Sequence, residues 1–581
     1  MTRPSVDGAV TRATVGRVRL ARVSIPVVLV AVLLSVGTAH ALAADPYVVY
    51  TANKQVDGAV ILRTEPATGS TVEISRNGPL GNLFRQPYDL AVEPDGSLVV
   101  ADMGVPDQKD GAVIRVDPFT GRQTLVSGQG VGGNNFYDPS GIAVGPGGML
   151  YVLDTLAGSN SGAVIRVDPK TGAQQVIASN LSPLHLFDLP FGIALDSDGT
   201  IVVVNRALPG SLPIDCIAPT GSVVRVQPNG TQSLISGLGS LSRPLGVAID
   251  TDRGIVVANE CGSPDGIGLL RVNPSNGLQS QLASNGPDDF LRTPERVALT
   301  PAGEFLVTDY NLGPDNDGGI VKVARGSQTQ SVVSSNALFN HPLGIAAVVN
   351  RPPTAALAIK PKMVAAGRNV TLDASGSRDP EGLRLVYEWD LDGNGTFEAG
   401  SGTTPTAMPK FSGDGVKTVR VRVDDPHGGR TVAEGTLAVD GSRPALTGLS
   451  AQSKVIGVPA RGTRAHRRRA GTARSGAPSV TRLRFRLSEA ATVTLAVDRA
   501  RAGHRRKGRR CSTRPKRGRP CTAWAKVRTI KRSLRVGPNG ISLHARGLEP
   551  GRYRLVLTAA DEVGNRSPRR TLGLRVVRLP R

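Results

Sequence analysis

Aromatic residues make up only 4% of the 581-residue chain, and no long stretch carries the 3.6-residue apolar period of an amphipathic helix. A helical bundle or coiled coil is thereby excluded. Histidine is also scarce, and residues 45–350 contain only His185 and His341. No nucleophile–base pair or metal-ligand spacing accompanies Asp89, Glu295 and Arg296, the polar residues of that region that break its repeats. Acidic residues are nearly missing from one end. From Ala451 onward 35 Lys and Arg stand against 5 Asp and Glu, whereas the preceding residues carry 35 against 42. The formal charge of +23 thus belongs to the C-terminal region and does not describe a basic surface spread over the whole chain.

What is present has the texture of β structure. Val, Ile and Leu are abundant, and 69 Gly and 42 Pro punctuate them at short intervals, as short strands and tight turns require. The length accommodates three or four domains. At the N-terminus, Arg3, Arg12, Arg17, Arg19 and Arg22 precede the uncharged run "VSIPVVLVAVLLSVGTAHALAA". Ala39-His40-Ala41 and Ala41-Leu42-Ala43 within it offer the small residues of a signal-peptidase site. Residues 1–44 are therefore read as an export signal cleaved near Ala41 to Ala44. The run is also long enough to remain as an uncleaved membrane anchor, although Pro26 and Gly37 shorten its apolar centre. On either reading the rest of the chain is expected to be secreted or held at the cell surface, where nucleic acid is not an expected partner and membrane contact arises only through an uncleaved anchor.

"GAVIRVDPFTG" begins at Gly111 and returns as "GAVIRVDPKTG" at Gly162. Further copies start at Gly58, Gly221 and Gly266, with a weaker one at Gly318. Five are preceded by a second pair of strands such as "PSGIAVGPGGMLYVLD" and "PLGVAIDTDRGIVVAN". Each unit reads as four short strands, apolar on both faces, which must be covered on both faces. Radial stacking of four-stranded sheets meets that need, so residues 45–350 are expected to form a six-bladed β-propeller. The two ends complement each other: "HPLGIAAVVN" is a first strand with nothing after it, and "PYVVYTAN" a second strand with nothing before it. Joining Leu343 to Ala347 with the sheet of Tyr47 to Ile74 would close the ring and remove two sheet edges.

The motif "PxGIAV…DG.LYV.D…G.V.RVDP.TG" resembles six-bladed propellers of the NHL-repeat and gluconolactonase-like group. The resemblance implies a metal-dependent lactonase or lyase as the alternative to a binding protein, with a divalent metal in the central channel. The lactonase asparagine motif after the blade prolines is not found here. Residues common to all blades are assigned to the blade itself. Asp102, Asp154, Asn205, Asn259 and Asp309, which end second strands at one register, are read as turn-forming. Two positions after the blade proline, four copies have Gly141, Gly192, Gly246 and Gly344, but two have Asp89 and Arg296. Asp89, Glu295 and Arg296 are thus the candidate ligand-binding cluster at the channel mouth, with a structural ion pair as the competing reading. Cys216 and Cys261, in connections of neighbouring blades, are expected to form a disulfide.

From Arg351, "RPPTAALAIKPKMVAAGRNVTLDASGSRDPEGLRLVYEWDLDGNGTFE" and the later "VKTVRVRVDDPHGG" closely resemble the PKD domain, an immunoglobulin-like β-sandwich, over residues 351–440. The family's "YxWD" motif puts Trp389 in the core. Asp390, Asp392 and Asn394 copy half of a calcium loop, but Ser401 stands where a bidentate Glu is wanted. A plain hairpin turn competes with calcium there, and no other cofactor is expected. In residues 441–581, "TRLRFRLSEAATVTLAV" alternates, putting Leu483, Phe485 and Leu487 on one face and Arg482, Arg484 and Arg486 on the other. "LEPGRYRLVLTAADEVGNRS" resembles bacterial immunoglobulin-like domains. Two basic loops are expected: Arg461 to Arg474, and the stretch containing Cys511 and Cys521, a pair placed to close the loop.

The whole reads as an all-β protein, a propeller plus two immunoglobulin-like sandwiches. Its expected role is a binding platform for an extracellular glycan, an anionic cell-wall polymer or a protein, with no catalytic residue assigned. The basic C-terminal domain is read as an attachment to anionic surfaces, or else as arginine-biased composition on solvated loops.

Overall fold

The structure is a computed structural model that describes residues 45–579 except 55–57, 106–109, 129, 134, 158–161, 181–185, 208–219, 262–266, 287–288, 459–475, 506–509 and 514–517. The expected export signal, His185, Cys216 and the basic loop from Arg461 to Arg474 lie outside the described residues. Among those described, helix is confined to one turn at Pro146–Gly148 and to Ala157. No helix among the described residues is long and apolar enough to cross a membrane.

Residues 45–350 fold into six antiparallel four-stranded sheets. The five sheets contained within one stretch of chain start at Pro87, Pro139, Pro190, Pro244 and Pro294, and their first strands, together with Pro342–Val349, follow one another around a ring. The sixth sheet joins the two ends of the repeat: Pro342–Val349 pairs antiparallel with Tyr47–Asn53, from Tyr47↔Val349 to Asn53↔Pro342. The expected closure is therefore present, and it gives this sheet an inner strand like those of the other five. We number this closing sheet blade 1, and the sheets beginning at Pro87 to Pro294 blades 2 to 6.

The apolar cores lie between blades. Val48, Tyr50 and Ile61 of blade 1 cluster with Leu98, Val100 and Ile114 of blade 2. On its other side, Val49 and Leu62 cluster with Leu306 and Ile320 of blade 6. Alternate residues of one strand thus serve two different cores, which is why the strands are apolar throughout and not alternating. Each such side chain contributes roughly 1.5–3 kcal/mol on burial.

Residues 351–579 build two sandwiches with the same plan. The first has a three-stranded sheet (Ala358–Lys360, Thr371–Asp373, Thr406–Ala407) facing a five-stranded one, in which Met363–Ala365 pairs parallel with the last strand, Arg430–Asp440. The second likewise opposes Leu446–Ala451, Val480–Leu487 and Gly537–His544 to five strands, in which Val455–Val458 pairs parallel with the last strand, Arg570–Arg578. Trp389 is buried, and its indole N–H donates to Ser401 Oγ at 2.9 Å. Leu483, Phe485 and Leu487 point into the core of the second sandwich and the three intervening arginines outward, as their alternation predicts.

One expectation needs correction. The basic stretch around Cys511 and Cys521 is not loop throughout, because Ala491–Arg505 and Arg519–Leu534 remain paired as far as Arg505↔Arg519. The Cys511–Cys521 disulfide pins this hairpin near its tip. Backbone pairing satisfies the N–H and C=O groups there while the charged side chains stay in water.

The propeller and the first sandwich touch closely. Tyr50 Oη lies 3.0 Å from His427 Nδ1, and both residues are buried. Burial and the nearby Arg63 guanidinium push the His427 imidazole down to about 4. Arg384 reaches across to Asp117 at 2.9 Å and lies over the Phe119 ring.

Candidate functional site

The channel at the centre of the ring is shaped by the residue two places after each blade proline. At Gly246 an added Cβ would lie 2.6 Å from the Arg296 Cα, and at Gly344 one would lie 2.7 Å from the Asp89 Cα. Glycine is needed at these two positions because the next inner strand passes so close. The two exceptions to glycine project side chains into the space thus left.

Arg296 crosses the channel. Its guanidinium donates to Leu245 O at 2.9 Å, Ser140 O at 2.7 Å and Phe191 O at 3.1 Å, carbonyls of blades 5, 3 and 4. Asp89 Oδ2 accepts from the Ile142 N–H at 3.2 Å and lies 3.8 Å from Arg296 Nε. Burial pushes the Asp89 carboxyl up to about 6 against the pull of Arg296. Asp89 and Arg296 are buried and meet across blades, the structural ion pair of the competing reading, and Glu295 is not part of that contact.

Glu295 faces elsewhere. Its Oε2 is buried and accepts no hydrogen bond among the described residues. Burial pushes its carboxyl up to about 7, with Arg296, Arg206 and Arg243 opposing the rise and Glu260 adding to it. Around it stand groups that the sequence reading did not single out. Arg206 lies over the Phe191 ring, 4.6 Å from its centroid, and Phe191 meets Tyr88 edge to face. Arg243 is 3.1 Å from Glu260. Tyr310, whose hydroxyl is raised by burial and by Glu295, stacks flat on His341 with centroids 4.0 Å apart.

Tyr88, Phe191 and Glu295 each follow a blade proline, and the other groups come from two register positions: the residue after the Asx that ends a second strand and the residue before a blade proline. A backbone bond links the two within blades 2 to 6, as in Arg206 N–H to Leu189 O, Glu260 N–H to Arg243 O and Tyr310 N–H to Thr293 O. The copies read Met103, Thr155, Arg206, Glu260 and Tyr310 at the first position, and Gln86, Asp138, Leu189, Arg243, Thr293 and His341 at the second. Comparing the repeats at those columns would have revealed the site. The Asx residues between them are structural, as expected: Asp102 accepts from the N–H groups of Arg85, Gln86 and Gly104, and Asp309 from those of Arg292, Thr293 and Asn311.

A divalent metal in the channel does not fit these residues. The Arg296 guanidinium already takes three of the carbonyls that face the channel and would repel a second cation. The calcium-loop candidates are also engaged. Asp390 accepts from the Gly393 and Gly395 N–H groups and from Arg420. Its own burial would raise its carboxyl, but these donors hold it below the usual range. Asn394 turns its amide onto Asp392, and Glu398 brings a third carboxylate near the two aspartates. Cys261 is disulfide-bonded; its expected partner, Cys216, lies outside the described residues.

Residues 350–439 match the PKD domain family, which the sequence had indicated. No curated protein matches the chain. Among solved structures, a streptogramin B lyase is similar at 15% identity over 52% of this chain and 86% of its own, with a TM-score of 0.34. A virginiamycin B lyase from Staphylococcus aureus is similar at 12% identity over 57% and 92%, also with a TM-score of 0.34. A putative gluconolactonase is similar at 13% over 51% and 87%, with a TM-score of 0.29.

Proposed function

We propose that the protein is a secreted or cell-surface binding protein whose propeller presents Tyr88, Phe191, Arg206, Arg243, Glu260 and Glu295 to an extracellular glycan or protein. The first sandwich acts as the spacer and the basic one as the attachment. A PKD domain, a propeller fold and disulfide bonding fit an extracellular multidomain protein. The observation that carries the binding reading is the Arg296 plug. It occupies the channel beside a cluster of aromatic and mixed-charge groups, the few convergent polar groups with which a binding site fixes its ligand.

One observation favours a second reading, a hydrolase or lyase. Glu295, with its carboxyl near 7, is poised to exchange protons at neutral pH, and His341 lies close by on Tyr310. The deciding experiment is to assay the pure full chain with lactone and ester substrates, with and without Ca²⁺, Mg²⁺ or Zn²⁺, beside a glycan and protein binding screen. Binding without turnover supports the platform. Turnover lost in Glu295→Gln or Asp89→Asn would replace it with the enzyme.

A further inference from the structure

The basic character of the C-terminal sandwich is organised on its surface. Its five-stranded sheet carries an open groove of about 990 Å³ across Gly551–Ala560 and Arg570–Arg578. Lys454, Arg552, Arg554, Arg575 and Arg578 line it together with Trp524, and no acidic residue does. Arg552 and Arg575 are register partners on adjacent strands, and both are exposed. Like charges directly opposite on one sheet face oppose folding. Neither arginine has an ion-pair partner among the described residues. The fold thus bears a local repulsion that a bound anion would relieve.

One wall of the groove is aromatic. Ala491–Arg505 leaves its pairing with Gly551–Ala560 at Arg499↔Tyr553 but stays paired with Arg519–Leu534 for six residues more. The hairpin therefore overhangs the sheet by roughly 20 Å at 3.4 Å per residue, pinned near its tip by the Cys511–Cys521 disulfide. Trp524 stands at the root of the overhang, 36% exposed. The Arg554 guanidinium lies 4.7 Å from its ring centroid and is itself held by Asp498 at 2.8 Å. An aromatic face beside outward arginine forks combines two kinds of recognition. The ring stacks on the apolar face of a sugar, and each fork takes a planar carboxylate through two hydrogen bonds.

We infer that this groove is a binding site for a linear acidic polysaccharide with carboxylate-bearing pyranose rings, held by Arg552 and Arg575 and stacked on Trp524. The inference rests on the attachment role proposed above for this sandwich and assigns that role to an ordered sheet face. The propeller's ligand does not enter it.

The test is calorimetric titration of the full chain with an octamer of galacturonate at 0.15 M salt. Trp524→Ala and the pair Arg552→Gln/Arg575→Gln should each weaken binding at least tenfold. The triple variant Arg482→Gln/Arg484→Gln/Arg486→Gln removes more charge from the opposite sheet face, where these residues line a second hollow, and should change binding less than twofold. Arg575→Lys keeps the charge and lacks the fork, so it should weaken binding severalfold and guards against misfolding of the others. Inorganic polyphosphate should be indifferent to Trp524→Ala. Equal losses in the triple and groove variants, or no loss in Trp524→Ala, would overturn the groove while leaving diffuse charge attachment standing. No binding of the octamer by the parent chain would end both.

Discussion

The propeller and the C-terminal sandwich use arginine in opposite ways. Arg296 is buried at 4% exposure, sits beside a glycine on the neighbouring strand and spends its donors on backbone carbonyls. Arg552 and Arg575 stand outward on a twisted sheet with no acidic partner. The difference lies in what surrounds each residue, not in the residue type: burial turns a guanidinium into a structural bolt, and exposure without a counter-charge leaves it free for a ligand. Net charge alone would have assigned the two the same role.

The largest effect that sharpens this contrast is expected at the ring closure. Deleting Leu343 to Val348 removes the inner strand of blade 1 and exposes the apolar surface of two inter-blade cores. The propeller should lose its cooperative thermal transition while the sandwiches still melt. A deletion that melts like the parent would show that the pairing of Pro342–Val349 with Tyr47–Asn53 is dispensable.

Arg296→Met comes next. It leaves the Ser140, Phe191 and Leu245 carbonyls and the Asp89 carboxylate without their partner in a buried channel, at a cost of about 3–5 kcal/mol by urea unfolding. A cost near zero would mean that the plug is not structural.

Glu295→Gln should act with pH. The native carboxyl is pushed up to about 7 from an ordinary 4.5, so the folded protein keeps its proton where the unfolded chain has released it. Stability is therefore full below about pH 4.5 and declines as pH rises through 7. Glutamine does not titrate, so the variant should gain on the parent by on the order of 3 kcal/mol at pH 8 and by nothing near pH 4. Parallel urea curves at both pH values would contradict the burial of Glu295.

The smallest effect is expected on the outer face. Arg484→Gln should leave the melting of the second sandwich within about 0.5 kcal/mol of the parent, checked by the same unfolding measurement.

Much of the fold was legible because each repeat carries its own local logic. Proline starts an inner strand, Asx ends the next, and the unmatched ends "HPLGIAAVVN" and "PYVVYTAN" specify closure without any long-range information. Asp89 and Arg296 stood out because they break a glycine column, but their destination did not. Whether Arg296 reaches a rim or a channel depends on carbonyls as far as 156 residues away in sequence. The rim groups Arg206, Arg243 and Glu260 were missed because variation between copies flanking a turn looks like ordinary loop tolerance until the backbone bonds place those columns side by side. The overhanging hairpin was missed because its Arg and Gly content argues for loop, and pairing overrides that composition. Both sandwiches were legible as immunoglobulin-like, but the detail they share was not, since a short strand that crosses to pair parallel with the last strand has no residue signature.

The central claim is that recognition and attachment are separated, with the propeller rim on one side and the basic sheet face on the other. Hydrogen exchange of the full chain with and without the galacturonate octamer tests it most directly. Protection should rise in Arg519–Leu534, Gly551–Ala560 and Arg570–Arg578, while the segments beginning at Pro87, Pro190, Pro244 and Pro294 stay unchanged. Protection centred on those propeller segments, with the sandwich unaffected, would contradict the account.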